Sequence, residues 1–410
     1  MTVLRFLTAG ESHGPKLMGI IEGIPAGLSL SEQVINQELA RRQWGYGRGD
    51  RMQIETDMVQ ILSGVRWGKT LGSPLGLEVA NRDWENWQQT MSVAAPLEDC
   101  DARAVTRPRP GHGDLAGMLK YRTTDARNIL ERASARETAM RVAVGAVARC
   151  LLRHFGIGVF SHVIQIGKVS IDEIHLDWGR LREQAETSQV RCADEVVAKK
   201  MMGAIDTAKA EGNSLGGVFE VIVWPVPAGL GSHVHWDRRL DGRLAQALMS
   251  IPAIKAVEIG LGRKTACHPG SQVHDEIFFD AQDVDSTLDR QDVLVWQGKT
   301  WLTGGGFFRR TNRAGGLEGG MTNGSPIVIR ATMKPIPTLY QPLFSVDLED
   351  LCPVAAGIER SDVCAVPAAA VVGEAMVAWV VASAFMEKFG GDTLLEIEAR
   401  YREHLLSLCP

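Results

Sequence analysis

Residues Ala365 to Phe385 form an almost wholly apolar stretch, interrupted only by Pro367, Glu374 and Ser383. It is the only such stretch in the chain, and it limits the fold more than any short motif does. Its length would suit a membrane span. Several features point to a buried helix instead. Pro367 suits a first helical turn, Gly390-Gly391 suit a helix end, and Glu374 stands at the middle of an alanine-rich run. A helix that is apolar all round belongs inside a layered structure, so the chain must supply covering layers on more than one side.

The rest of the sequence supplies them twice. Gly10-Glu11-Ser12-His13-Gly14 is followed by Pro25-Ala26-Gly27-Leu28, and Gly212-Asn213-Ser214-Leu215-Gly216 is followed at the same distance by Pro227-Ala228-Gly229-Leu230. Strand-like runs lie between, Leu17 to Ile24 and Val218 to Val226. A helix follows each: Ser31 to Arg42, with Ser29 and Glu32 as a capping box, and about Asp237 to Ile251, with Leu240, Leu244 and Leu248 on one stripe. Gly68-Lys69-Thr70-Leu71-Gly72-Ser73-Pro74 then parallels Gly320-Met321-Thr322-Asn323-Gly324-Ser325-Pro326. Arg132-Ala133-Ser134, opening a long apolar helix capped by Ser134 and Glu137 that ends before Gly156, parallels Arg360-Ser361-Asp362. Four landmarks in one order predict a tandem duplication, with halves of about 1–195 and 196–410 about a pseudo-two-fold axis. His13 aligns with Leu215 and Ser134 with Asp362, so the halves have diverged chemically, as expected when both build one site.

Length alone, 410 residues, would allow two or more domains. A net charge of −5 argues against broad nucleic-acid binding, which needs a basic face. Arginines still cluster: Arg41, Arg42, Arg48 and Arg51, then Arg107 and Arg109, then Arg309, Arg310 and Arg313. Such islands on an acidic chain suit small anions, because the guanidinium fork matches phosphate and carboxylate. Seven cysteines without metal-type pairing do not suggest a disulfide framework. The first residues run into a strand-like segment without a signal-peptide pattern, so a reducing cytoplasm is expected.

Two histidines in glycine-bracketed loops, His13 and the one in Arg107-Pro108-Arg109-Pro110-Gly111-His112-Gly113-Asp114, suggest proton handling at one site. Rival motifs are weaker. Gly10-x-Ser12-x-Gly14 matches a nucleophile elbow, but a strand follows where a helix is needed. Gly64 to Thr70 is one residue short of a phosphate-binding P-loop. Nothing among His233, His235, Cys267, His268 and His274 fixes a tetrahedral metal set, so no metal is expected. Arg48-Gly49-Asp50 is a chance tripeptide.

The two histidine loops resemble signature segments of the chorismate synthase family. So do Tyr46-Gly47-Arg48-Gly49-Asp50-Arg51-Met52, Ile61 to Arg66, Arg132 to Thr138, Gly315 to Gly324, Met333 to Thr338, and Glu359 to Pro367, in family order from about residue 5 to about 390. The resemblance implies an α+β fold: a β-α-β sandwich with central apolar helices between two sheets, as a single intertwined domain over 1–410. It implies a carbon–oxygen lyase that removes phosphate and a proton from 5-enolpyruvylshikimate 3-phosphate with reduced FMN, giving chorismate. NADPH is one source of the reducing equivalents. A homotetramer is the family's usual assembly, with no nucleic acid or membrane as partner.

By resemblance, His13 is the acid beside the leaving phosphate, His112 serves the reduced flavin ring, and Asp362 helps pass on the substrate proton. Activity should then fall on the alkaline side as the His13 imidazole loses its proton. FMN contacts are implied for Arg132, Ala133 and Ser134 at a helix start, for Pro252, Ala253 and Gly319, for Lys334, Pro335, Ile336, Pro337 and Thr338, and for Arg360. Arg42, Arg48, Arg107 and Arg136 are implied clamps for substrate or NADP. Pro252 and Gly113 depart from the residues expected in relatives. Lys299 to Arg310 looks altered, and is read as a flexible lid. A flavin-binding relative that oxidises NADPH without releasing phosphate is the alternative. A non-catalytic anion-binding protein on the same scaffold is the other.

Overall fold

Alternation sets the N-terminal strands. In Lys16–Glu22, Leu17, Gly19 and Ile21 face inward while Met18, Ile20 and Glu22 are exposed, as a strand with one covered face requires. The structure, a computed structural model, describes residues 4–49, 56–95, 103–171, 177–279, 292–359 and 361–408. Strands β1 (Arg5–Ala9), β2 (Lys16–Glu22), β3 (Val59–Ser63), β4 (Val65–Arg66), β5 (Lys69–Thr70) and β6 (Leu75–Ala80) open the chain. They give an antiparallel sheet in the order β1-β2-β6-β3, with β4 and β5 as a hairpin between β3 and β6.

Next come β7 (Gly158–Ile166), β8 (Val169–Ser170), β9 (Gly217–Trp224) and β10 (Ile254–Ile259). Four short strands follow, β11 (Ile277–Phe279), β12 (Val293–Trp296), β13 (Lys299–Leu302) and β14 (Phe307–Arg309). The last are β15 (Leu317–Glu318), β16 (Met321–Thr322), β17 (Ile327–Met333), β18 (Phe344–Val346) and β19 (Pro353–Ala355). The second large sheet has the order β10-β17-β9-β7-β8, and the remainder pair as two-stranded ribbons, β11-β14, β12-β13, β15-β16 and β18-β19.

The helices are α1 (Glu32–Gln43), α2 (Asp114–Tyr121), α3 (Arg127–Ala133), α4 (Thr138–His154), α5 (Trp178–Thr187), α6 (Glu195–Ala210), α7 (Leu240–Met249), α8 (Val366–Phe389) and α9 (Leu394–Leu408). Helix α4 packs on β2 and β6, α8 packs on β7 and β9, and α4 and α8 pack on each other. The apolar stretch is therefore a core helix, α8, buried almost throughout, with Pro367 in its first turn and Gly390 at its end. It is the one described helix long and apolar enough to cross a membrane, and it is enclosed by the protein. Helices α4 and α8 approach closely where Gly145 faces Ala375: a Cβ at 145 would lie 2.3 Å from the Ala375 Cβ.

Glu374 has no solvent exposure. Its carboxylate meets Arg41 of α1, Arg149 of α4, Arg191 and the Ser161 hydroxyl of β7, and Glu38 and Glu186 complete the cluster. Three guanidiniums thus balance three carboxylates, as buried charge requires.

The Pro-Ala-Gly-Leu turns follow β2 and β9 and make matching bonds. Thr70 Oγ1 donates to Pro25 O at 2.6 Å and accepts from Leu28 N at 2.9 Å. Thr322 Oγ1 donates to Pro227 O at 2.6 Å and accepts from Leu230 N at 2.8 Å.

Several local expectations differ. The capping box at Ser29 and Glu32 does not form: Ser31 precedes α1, Glu32 accepts from Ile61 N, and Ser29 accepts from Lys69. Arg132 and Ala133 end α3 rather than open a helix. Ser134 caps the 3-10 turn Ala135–Glu137, which leads into α4, and the Glu137 side chain turns to Arg141. Lys299–Arg310 is no lid over the cavity described below. It carries β13 and β14, Thr303 within it is fully buried, and the Thr303 hydroxyl bonds Gly324 O at 2.6 Å.

Candidate active site

The Gly10–Pro15 turn joins β1 to β2, a strand-to-strand link. Gly10 is required there, because its φ is +109° and a Cβ would sit 2.4 Å from Lys16 O. The turn delivers His13, 8% exposed, into a cavity of about 550 Å³. Glu131 of α3 fixes the imidazole: Nδ1 lies 2.9 Å from Oε1, and the His13 backbone N–H donates to Oε2 at 2.8 Å. Arg127, one turn earlier on α3, donates to the same carboxylate at 2.9 Å. Burial works against the Glu131 carboxylate, but hydrogen bonds from His13 and Arg127 overcome it and hold its pKa down. An ionised carboxylate accepts only, so Nδ1 carries a hydrogen and Nε2 is left for the cavity.

His112 repeats this arrangement on unrelated elements. Its Nδ1 bonds Asp114 Oδ1 at the start of α2, and Arg109 donates to Asp114 Oδ2 at 2.9 Å from Nε and at 3.1 Å from its backbone N. Burial again opposes ionisation of Asp114, and the bonds from His112 and Arg109 outweigh it, well below the usual carboxylate range. Both histidines therefore present Nε2 from a ring whose tautomer is set by an ionised carboxylate.

Cations line the cavity between them. Arg42 of α1, 5% exposed, donates to Thr138 Oγ1 at 3.0 Å and Ala135 O at 3.0 Å, and faces Asp57 at 3.5 Å. Arg136 bonds Asp57 and, through Nε, the Asn81 side-chain oxygen at 2.8 Å. Arg48 Nη1 donates to Asp362 Oδ2 at 2.6 Å, and Gly49 N donates to Oδ1 at 2.7 Å. Burial pushes the Arg42 guanidinium down to about 10; Arg48 and Arg136 add to the shift while Asp57 and Asp362 oppose it. Positive charge is thus held in a dry place at a cost that an incoming anion would relieve.

The cavity brings together His13, His112, Asp362, Ala133, Ser134, Pro252, Ala253, Lys334, Ile336, Pro337, Thr338, Arg42, Arg48 and Arg136. Four expected residues stand elsewhere. Arg107 is turned outward onto Asp347 at 2.9 Å with half its side chain exposed, while Arg109, two residues on, takes the inward place. Arg132 is spent on Thr8 O and Gly10 O. Gly319 sits in the β15-β16 turn, and Pro335 is not among the lining residues. Arg360 lies outside the described residues.

Sequence reasoning missed Glu131, Trp87 and Asn81, and named Arg109 only as a member of an arginine cluster while giving the clamp to Arg107. Trp87 stacks on the His13 ring with centroids 3.8 Å apart. The Asp114 partner of His112 was present in the quoted motif, two residues from the histidine.

A flavin phosphate with a flat ring fits this lining. Among the described residues, Arg48 Nε is buried with no hydrogen-bond partner, a donor left for a ligand at the cavity. Ala365 just before α8 and Ala368, Ala369 and Val372 within it, with Ile251 and Met333, give an apolar wall, in a volume typical of cofactor sites.

The chain matches the family model for chorismate synthase over residues 4–386. It is 58% identical over 403 residues to the chorismate synthase of Geobacter metallireducens, covering 98% of each chain. To that of Desulforamulus reducens it is 57% identical over 403 residues, again 98% of each. A solved structure described as "Crystal Structure of Chorismate Synthase" matches with a TM-score of 0.75 at 44% identity, over 99% of this chain and 98% of that one.

Proposed function

The chain belongs to the chorismate synthase family, and from that premise we propose that it eliminates phosphate from 5-enolpyruvylshikimate 3-phosphate to give chorismate, with reduced FMN bound. The reaction is an anti-1,4-elimination: a ring C–H bond and the C–O bond to phosphate break, and a second ring double bond forms. The observation that carries the proposal is the convergence of two carboxylate-fixed imidazoles on one cavity walled by buried guanidiniums.

The substrate brings two carboxylates and a phosphate. Arg42, Arg48 and Arg136, with Lys334 and Arg109 at the same cavity, would hold these anions in fixed directions. His13 Nε2 donates a proton to the departing phosphate, and Glu131 stabilises the imidazolium form that makes this possible. Asp362, oriented by Arg48 and Gly49 N, would help pass on the proton that the substrate ring gives up. Reduced FMN, when bound, would supply electron density to the elimination and an acceptor for the substrate proton. Ala133, Ser134, Pro252, Ala253, Lys334 and Ile336 to Thr338 would hold it, with Arg360 carried over from the family. His112, polarised by Asp114, would hold a proton for the flavin ring. NADPH is the proposed source of reducing equivalents.

We further propose that the fold is a sandwich of two sheets about α4 and α8, built by internal duplication. The orders β1-β2-β6-β3 and β7-β9-β17-β10 support it, as do the matching turns at Thr70 and Thr322. On this correspondence the second repeat starts before β7, nearer residue 158 than 196. The proposed setting is the cytoplasm and the proposed assembly a homotetramer. The exposed Leu7, Met18 and Ile20 on the outer face of the first sheet support an assembly.

Anaerobic incubation of 5-enolpyruvylshikimate 3-phosphate with the protein and chemically reduced FMN should yield chorismate, followed by its absorbance, and none with oxidised FMN. Flavin binding and NADPH oxidation without chorismate would favour the altered relative instead.

A further inference from the structure

The turn after β6 grips His13 from two sides. Asn81, 4% exposed, follows the last residue of β6, and its backbone N–H donates to Pro15 O at 3.0 Å. Its side-chain nitrogen donates to Glu11 O at 3.2 Å and Gly14 O at 2.7 Å, the carbonyls on either side of Ser12 and His13. Its side-chain oxygen accepts from Arg136 Nε at 2.8 Å. Six residues on, Trp87 stacks on the His13 ring, and its indole N–H is held by Asp83 at 3.1 Å. One neutral amide thus joins the backbone of the acid's loop to a guanidinium of the anion clamp. A neutral amide suits this place, because it can give two hydrogens to carbonyls and accept one from arginine. A carboxylate would face the two carbonyls without a hydrogen to offer, and an aliphatic side chain would remove the bonds to Gly14 O and Arg136 Nε and leave Glu11 O only its bond from Gly14 N.

We propose that Asn81 is a positioning residue that fixes the His13 imidazole relative to the Arg136 guanidinium, so that the departing anion is clamped and protonated at one place. It touches neither substrate nor cofactor; it acts through the two groups that do. The inference rests on the elimination proposed above, for which a misplacement of about 1 Å costs on the order of a hundred-fold in rate.

The test is a double-mutant cycle on the full-length protein with reduced FMN, with kcat and KM measured for the parent, Asn81→Ala, His13→Ala and the pair. Asn81→Ala should lower kcat about a hundred-fold in the parent background and change it less than about two-fold once His13 is alanine. A structural role alone would lower activity by the same factor in both backgrounds. Asn81→Asp, matched in size, covers the case in which the alanine variant fails to fold, and it should show the same kcat loss. A second readout needs no turnover. Inorganic phosphate should raise the thermal midpoint of the parent, and its affinity for Asn81→Ala should be about ten-fold weaker through loss of the bond to Arg136. An inactive parent overturns the elimination reading, and the phosphate titration then judges Asn81 alone. Folded Asn81 variants with kcat within about two-fold of an active parent, or undiminished phosphate affinity, overturn this inference.

Discussion

Glu131 meets one residue through three hydrogen-bonding contacts, two to the His13 ring nitrogen and one to its backbone, from 118 positions away in the chain. Its role and that of Asp114 are the same in kind: each holds an imidazole in one tautomer and one orientation. Glu131→Gln keeps the shape but removes the carboxylate charge that supports the imidazolium, and an amide hydrogen facing Nδ1 opposes the doubly protonated ring that the acid role needs. Turnover should fall by about a hundred-fold or more, read as kcat, with the fold retained. His13→Ala should lose a similar factor while FMN still binds, as followed by flavin fluorescence. The arginines give a pH expectation of definite sign. Arg42 is lowered to about 10 in the free protein, so its charge fades as pH rises through that value. Phosphate affinity measured against pH should be sustained at neutrality and weaken toward pH 10. The site histidines were legible in the sequence because a histidine among glycines is uncommon. Glu131, Asn81 and Trp87 were not, because their partners become neighbours only when β1, β6 and α3 come together.

Helix α8 shows what an element can state in advance and what it cannot. Its burial followed from its composition, and so did its two ends. Its partners did not: Glu374 reads as a blemish in an apolar run, yet it is where α1, α4, α8 and β7 are tied. Removing that carboxylate would leave Arg41, Arg149 and Arg191 in the core with less to balance them. Glu374→Gln should therefore destabilise the fold by about 3–5 kcal/mol, measured by denaturant unfolding. Glu374 is held well below the usual carboxylate range, burial being overcome by these three arginines, and Glu186 is lowered to about 2 by Arg41 and Arg191 against burial. Carboxylates depressed in the fold stabilise it above their ordinary value of about 4.3, and that contribution disappears as pH falls through the folded values. The unfolding midpoint should accordingly be level near neutrality and drop below about pH 4. Gly145 is the other fixed point of the crossing. Gly145→Val would drive methyl groups into Ala375 and should cost about 1–3 kcal/mol.

At the scale of the whole molecule, the cavity draws on segments spread through the chain: the β1-β2 turn, α1, the 3-10 turn before α4, the Pro252 turn, the Lys334–Thr338 stretch and the start of α8. The repeated landmarks were readable because turns keep their glycines and prolines. Under the proposed duplication the boundary between repeats was not, because α5 and α6 lie between β7 and β9 where a short turn lies between β1 and β2, and so would hide the proposed correspondence of β7 with β1. Arg107 and Arg109 make the same point locally. Both stand in one motif, and only the folded turn decides which faces in. This composite cavity is proposed to expel phosphate from the substrate without net oxidation. Single-turnover quantification of inorganic phosphate, with enzyme and reduced FMN in excess over 5-enolpyruvylshikimate 3-phosphate under anaerobic conditions, tests it most directly. One phosphate per substrate is expected, with the flavin still reduced at the end. Flavin oxidised in step with substrate loss, or no phosphate from a protein that binds both ligands, would contradict it.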